Sequence, residues 1–143
     1  MGPIGIASDH GGYALKEEIK AHLEEKGIEF IDFGTDSPES VDYPDYAKKL
    51  AEAIQYNDVK LGIALCGTGI GISIALNRHK GVRAALCHSE YEARVCRQHN
   101  NANVLCMGGR TTGPEIAFAM VDDYLASDFD GGRHERRICK IDE

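Results

Sequence analysis

Leu61-Gly62-Ile63-Ala64-Leu65-Cys66-Gly67-Thr68-Gly69-Ile70-Gly71-Ile72-Ser73 reads as a strand that turns into a helix. Leu61 to Cys66 is continuously apolar, the pattern of a strand buried on both faces. Glycine then recurs at Gly67, Gly69 and Gly71, and the apolar residues resume with Ile72. This spacing predicts a glycine-lined turn that opens a helix. Backbone N–H groups at a helix start lack intrahelical acceptors and favour an anion. Cys66 ends the strand beside them, so a potential nucleophile or base stands next to an anion site. A helix N-terminus also stabilises a thiolate.

Outward from this stretch the same pattern repeats. Ile4 to Ser8 reads as a buried strand, and Asp9-His10-Gly11-Gly12 as its turn. A helix follows with Leu15, Ile19 and Leu23 on one stripe and Lys16, Glu17, Lys20 and Glu24 elsewhere. Glu29 to Phe33 is a second strand, and Gly34 to Pro44 a loop. Ala47, Leu50, Ala51 and Ile54 mark an amphipathic helix. Beyond the central strand and a helix to about Asn77, Val82 to Cys87 is a fourth strand. Ser89 caps a helix that ends near Gln98-His99-Asn100-Asn101. Val104 to Met107 is a fifth strand, and Thr112, Pro114 and Glu115 open a last helix. Strands alternating with helices predict an α/β fold, a Rossmann-like αβα sandwich with a five-stranded parallel sheet. Ligands of such sheets bind outside the carboxyl ends of the strands, where Asp9, His10, Cys66 to Gly71, His88 and Arg110 gather.

The whole chain, 1–143, is expected to be one domain, with 127–143 a basic C-terminal tail. A net charge of −7 disfavours nucleic acid and anionic membrane, so an anionic ligand needs a local cationic cluster. No apolar run approaches the length of a membrane span, and Met1-Gly2-Pro3 leads straight into a strand-like run without a signal-peptide pattern. The five cysteines, Cys66, Cys87, Cys96, Cys106 and Cys139, are odd in number and lack C-x-x-C spacing. A reducing, cytoplasmic location is expected. No His or Cys pair has zinc-ligand spacing on a helix or knuckle, so neither a metal nor another cofactor is expected.

The residues leave several roles open. Cys87, Cys96 and Cys106 read as small core residues, whereas Cys66 has chemistry beside it. Thr68 is a turn hydroxyl or a ligand donor. Asp9 and His10 form either a local Asx turn or part of a site. His99 either stabilises a helix C-terminus or acts as a general acid or base. His22 and His79 read as solvated. Arg133, Arg136 and Arg137 are a solvated tail or a phosphate-binding cluster, since guanidinium forks match phosphate oxygens.

Five segments carry a resemblance: Ser8-Asp9-His10-Gly11-Gly12, Val41-Asp42-Tyr43-Pro44, Cys66-Gly67-Thr68-Gly69-Ile70-Gly71, Arg97 to Leu105, and Gly131-Gly132-Arg133-His134-Glu135-Arg136-Arg137. In this order, from Ile4 to about Ile141, the chain resembles the type B ribose-5-phosphate isomerases, in the broader family that includes galactose-6-phosphate isomerase subunits. The resemblance implies metal-independent interconversion of ribose 5-phosphate and ribulose 5-phosphate in the pentose phosphate pathway. It implies homo-oligomers, dimers or tetramers, with active sites at subunit interfaces. It implies that Cys66 moves a proton between C1 and C2 and that His99 assists ring opening. Asp9 and Asn100 match sugar contacts, and Gly67, Thr68, Gly69, Ile70 and Gly71 match the enediolate-binding turn. His10, Tyr43, Arg110, Arg133 and Arg137 match phosphate- or substrate-contacting positions. A branch of the family carries glutamate where Ile72 stands here, so this chain resembles the cysteine branch. Arg133 and Arg137, beyond the last expected helix, are expected to reach a neighbouring subunit. Isomerisation of a hexose 6-phosphate, such as allose or galactose 6-phosphate, is the alternative activity. A phosphosugar-binding subunit of a hetero-oligomer is the reading from another class.

Overall fold

The continuous apolar runs become the inner strands of one parallel sheet. In the computed structural model, which describes residues 2–143, β1 (Ile4–Ser8), β2 (Phe30–Asp32), β3 (Gly62–Cys66), β4 (Ala84–Leu86) and β5 (Val104–Gly108) stand in the order β2-β1-β3-β5-β4. Every residue of β1, β3 and β5 is buried, as strands covered on both faces require. β3 is central, pairing Ala64 with Ala7 on one side and with Cys106 on the other.

The helices are α1 (Tyr13–Glu25), α2 (Tyr43–Gln55), α3 (Ile70–Asn77), α4 (Glu90–Gln98), α5 (Pro114–Ala126) and α6 (Arg133–Ile141). Leu15, Ile19 and Leu23 of α1, Ala93 and Cys96 of α4, and Met120, Val121 and Tyr124 of α5 share a core with Ile6, Leu65 and Leu105. Ala47, Leu50 and Ala51 of α2 and Ile72 and Leu76 of α3 form a second core with Ala7, Ala64 and Cys106. The sheet therefore lies between two helical layers, as the alternation predicts. Chain connections leave β1 and β3 in opposite directions, so a crevice opens between their carboxyl ends.

The structure moves some boundaries and corrects two expectations. β2 and β4 are shorter than their apolar runs, and β5 runs one residue further, to Gly108. The loop ends before Pro44, because α2 starts at Tyr43 and proline fits the first helical turn, where its missing N–H costs no bond. Residues 127–143 are neither a free tail nor net basic: Arg133 to Ile141 form α6, with Ile138 buried, and the segment carries four Lys/Arg against five Asp/Glu. His22 is not solvated; it stacks on Phe118 at 4.5 Å between ring centroids and pairs with Asp122 at 2.8 Å. Lys16, off the apolar stripe of α1, points inward. It is fully buried, and its Nζ donates to both carboxylate oxygens of Asp32 at 2.8 and 2.7 Å.

The Lys16–Asp32 pair joins α1 to the edge strand β2. Burial works to raise the Asp32 carboxyl, but hydrogen bonds from Lys16, Lys20 and the Gly34 amide outweigh it and hold it below the usual aspartate range. A carboxylate depressed in the folded state stabilises at pH values above the unfolded pKa, and the contribution fades as pH falls below about 4. Removing one partner of a buried pair costs about 3–5 kcal/mol. Asp32 keeps 24% of its side chain exposed, so Asp32→Asn is expected to lose about 2–3 kcal/mol in urea unfolding at pH 7. The gap between variant and wild type is expected to narrow below pH 4. An equal gap at pH 3 and pH 7 would show that ionic pairing is not its source.

Candidate active site

The turns after β1, β3 and β5 meet at the carboxyl edge of the sheet. After β1, Asp9 Oδ1 accepts from the amides of Gly11 and Gly12 at 2.9 and 3.2 Å, so the Asx turn forms and the carboxylate is buried. A Cβ on Gly11 would stand 2.8 Å from the Gly67 nitrogen, so only glycine lets the first turn touch the second. After β5, the Gly109 amide donates to Cys66 O at 2.8 Å and the Arg110 amide to Gly67 O at 3.0 Å. Three separate segments are thereby tied to the backbone around Cys66.

The turn after β3 folds as its glycines require. Gly69 has φ +79°, a left-handed conformation, and its amide donates to Cys66 Sγ at 3.1 Å. The sulfur thus lies at the positive end of an amide dipole. Thr68 Oγ1 accepts from the Ile70 amide at 3.2 Å and remains at the surface. The amides of Gly67 and Thr68 have no protein acceptor among the described residues. With the orphan donors of the first turn of α3 they form a cradle for negative charge. Arg110 overhangs it: a Cβ on Gly67 would lie 3.0 Å from Nη1. Tyr43 closes another side, since a Cβ on Gly71 would meet its ring at 2.6 Å. His10 Nδ1 accepts from the Val41 amide at 3.2 Å, which leaves Nε2 as the proton-bearing nitrogen of the neutral ring.

Asp9, His10, Tyr43, Cys66 to Gly71 and Arg110 therefore come together at one edge. His99, Asn100, Arg133 and Arg137 do not join them. α4 runs back against the strands, so its last residues lie at the amino edge: the Asp130 amide donates to Gln98 O at 2.9 Å, and Gly62, at the start of β3, donates to Asn103 O at 2.8 Å. The five-residue strands separate the two edges by roughly 15 Å. At the amino edge His99 stacks on His134 of α6 at 4.3 Å between centroids. Loss of solvation, then His99, Arg133 and Arg137, hold the His134 imidazole below the usual histidine range. Arg110, Arg133 and Arg137 have no carboxylate partner among the described residues, which leaves their forks free for an anion. A cavity of about 620 Å³ at this edge includes Asn77, Arg83, Asn100 and Ile141, but not Cys66.

Sequence reasoning missed Asp130 and His134, which lie beside His99. Their approach depends on the Asp130–Gln98 backbone bond, which no local spacing announces. Burial pushes Cys106 up, and the neighbouring Cys96 sulfur together with burial pushes Cys87 up, so both are inert packing groups.

The family model for Ribose/Galactose Isomerase matches residues 4–141. Ribose-5-phosphate isomerase B of Escherichia coli (strain K12) is 49% identical over 141 residues, covering 99% of this chain and 95% of that protein. A ribose 5-phosphate isomerase structure from Thermotoga maritima is 58% identical with TM-score 0.96, covering 98% of this chain and 97% of its own. The ribose-5-phosphate isomerase B structure from Mycoplasma genitalium, with ribulose-5-phosphate bound, is 46% identical with TM-score 0.93, covering 98% and 93%.

Gly69 and Gly71 separate backbone from side-chain effects at this turn. At Gly69 a Cβ would press the Met107 carbonyl carbon at 2.7 Å and the backbone has positive φ, so Gly69→Ala is expected to cost at least about 1–3 kcal/mol in thermal unfolding. At Gly71 the obstacle is the half-exposed Tyr43 ring, which has room to swing away. Gly71→Ala is expected to melt near wild type while raising KM. The reverse ranking in melting would contradict the packing described for both glycines.

Proposed function

The chain belongs to the ribose/galactose isomerase family, and from that premise we propose that it interconverts ribose 5-phosphate and ribulose 5-phosphate through an enediolate, in a site completed by a second copy of the chain. The observation that carries the chemistry is Cys66 Sγ beneath the Gly69 amide, beside the unoccupied amides of Gly67 and Thr68. The ligand in the M. genitalium relative supports the substrate.

Deprotonating carbon next to a carbonyl is difficult unless the forming oxyanion is held. The cradle from Gly67 to Gly71 points amides where that charge develops, and one such donor is worth about 2.7–4 kcal/mol in other enzymes. Cys66 takes the proton from C2 of the open-chain aldose and returns it to C1 of the enediolate, while the O2 hydroxyl proton passes to O1, giving the ketose. Asp9 contacts the sugar hydroxyls. Thr68 and Tyr43 line the reacting end, and His10 and Arg110 contact the substrate. His99 passes a proton to the ring oxygen as the furanose opens, with Asn100 on the sugar and Arg133 and Arg137 on the phosphate. Phosphate binding far from C1 and C2 orients the reacting carbons.

The need for a second copy arises from topology. Residues at opposite edges of one sheet cannot surround one pentose phosphate. In a two-fold dimer the carboxyl edge of one copy faces the amino edge of the other, and two equivalent sites form. Ile70 and Ile74, on one face of α3, are 52% and 54% exposed directly beside the cradle. An apolar surface at this place is suited to burial by the partner.

A direct absorbance assay of ribose 5-phosphate conversion in EDTA tests the reaction. Cys66→Ala is expected to lower kcat about 10²–10⁴-fold while leaving phosphosugar binding within a few-fold. Wild-type turnover in that variant would overturn the role of Cys66. Comparison of kcat/KM on six-carbon phosphates decides between the pentose and hexose readings. The shared site is tested by mixing Cys66→Ala chains with chains carrying both His99→Ala and Arg137→Ala. If each site takes residues from two copies, random reassortment restores about a quarter of wild-type activity, because half the dimers are mixed and each has one intact site. No recovery from well-mixed chains would confine each site to one copy.

A further inference from the structure

Three potential metal ligands converge at the amino edge from three different segments. His99 closes α4, and its amide donates to Val95 O at 2.8 Å. Asp130 lies in the connection after α5, fixed by its amide on Gln98 O at 2.9 Å. His134 stands in the first turn of α6, its amide on Gly131 O at 3.1 Å. One ligand atom from each lies within 4.8 Å of the other two. No hydrogen bond or ion pair within the chain engages either imidazole ring or the Asp130 carboxylate among the described residues, whereas His10 and His22 each have a ring partner. Backbone bonds thus hold three side chains near one point without any of them satisfying another.

We propose that His99, Asp130 and His134 form a binding site for a divalent transition-metal ion of the zinc class, and that an ion held there blocks isomerisation by taking His99. The binding half stands on the geometry alone; the blocking half rests on the role proposed for His99. Two imidazoles and one carboxylate are a common zinc-type donor set, with a fourth position left for water. A tetrahedral ion with bonds of about 2.0–2.1 Å needs its donors roughly 3.3 Å apart. The approach required is about 1.5 Å, on the scale of a side-chain rotation that opens the parallel His99–His134 stack. Arg133 and Arg137 oppose a cation, so micromolar rather than nanomolar affinity is expected.

The test uses the full chain, stripped with EDTA and returned to metal-free buffer. Zn²⁺ is titrated by calorimetry and Co²⁺ by absorption, because thiolate ligation of cobalt gives an intense near-ultraviolet band that imidazole and carboxylate do not. One ion per chain is expected, without that band, and at least tenfold weaker in Asp130→Asn and in His134→Gln. Both variants are checked for wild-type melting in the absence of metal. Zn²⁺ is expected to inhibit ribose 5-phosphate turnover reversibly with EDTA, and Asp130→Asn is expected to need at least tenfold more Zn²⁺ for half-inhibition. Absence of binding, a thiolate band, or unchanged binding in either variant overturns the site. Inhibition that persists unchanged in Asp130→Asn assigns it to another group, such as Cys66, and overturns the blocking role. Binding as described in a chain without turnover in EDTA keeps the metal site and defeats the isomerase reading instead.

Discussion

The structure depends on backbone touching backbone where three strands end. Gly11 lies against Gly67, and Gly109 against the carbonyl of Gly11. The Gly109 amide reaches back to the carbonyl of Cys66. A side chain at any of these contacts would wedge the turns apart and carry the amides of Gly67 and Thr68 away from Asp9 and Arg110. The glycines therefore do more than permit a turn. They remove the side chains that would otherwise cover a cluster of amide donors, which a catalyst of enolisation needs bare. The conformational entropy lost on ordering so many glycines is offset by their position at the ends of fully buried strands.

The same sheet also divides the chemistry. In a parallel α/β fold each crossover helix runs against the strands, so residues at helix ends and residues at strand ends lie at opposite edges. Cys66 ends a strand and His99 ends a helix, and no loop movement of ordinary size closes roughly 15 Å of sheet. In the proposed dimer, a second copy related by a two-fold axis would bring both edges together twice. Exposed Ile70 and Ile74 beside the cradle are consistent with that arrangement, because a single chain leaves them in water.

Expected outcomes for Asp32, Gly69 and Cys66 draw on features of unequal visibility in the sequence. The fold was legible because β1, β3 and β5 are apolar throughout and the stripes of α1, α2 and α5 repeat at helical spacing. The carboxyl-edge group was legible for the same reason: once strand ends are known, topology gathers the turn residues attached to them. α6 was not, because Gly131-Gly132 and a run of arginines resemble a solvated tail, and Ile138 is the one buried residue of the helix. The burial of Lys16 was not legible, because a charged residue beside an apolar stripe normally faces water. Its acceptor, Asp32, comes from another element and has no local signature. His22 is the same case, since Phe118 and Asp122 lie about a hundred residues away.

His99 shows how far one residue's surroundings depend on long-range contacts. From the sequence it is a histidine at a helix end, where charge and dipole interact. In the fold it gains a stacked imidazole from α6 and a carboxylate from the connection before it, both brought by the single backbone bond between Asp130 and Gln98. A group that transfers protons to a sugar ring must keep a nitrogen free, and among the described residues neither imidazole ring has a hydrogen-bond partner. Free nitrogens next to a free carboxylate are also what a metal ion takes. In the proposed reading, the openness that suits His99 to proton transfer would also expose it to metal capture, while the positive charge of Arg133 and Arg137 would favour an anionic phosphosugar over a cation at the same edge.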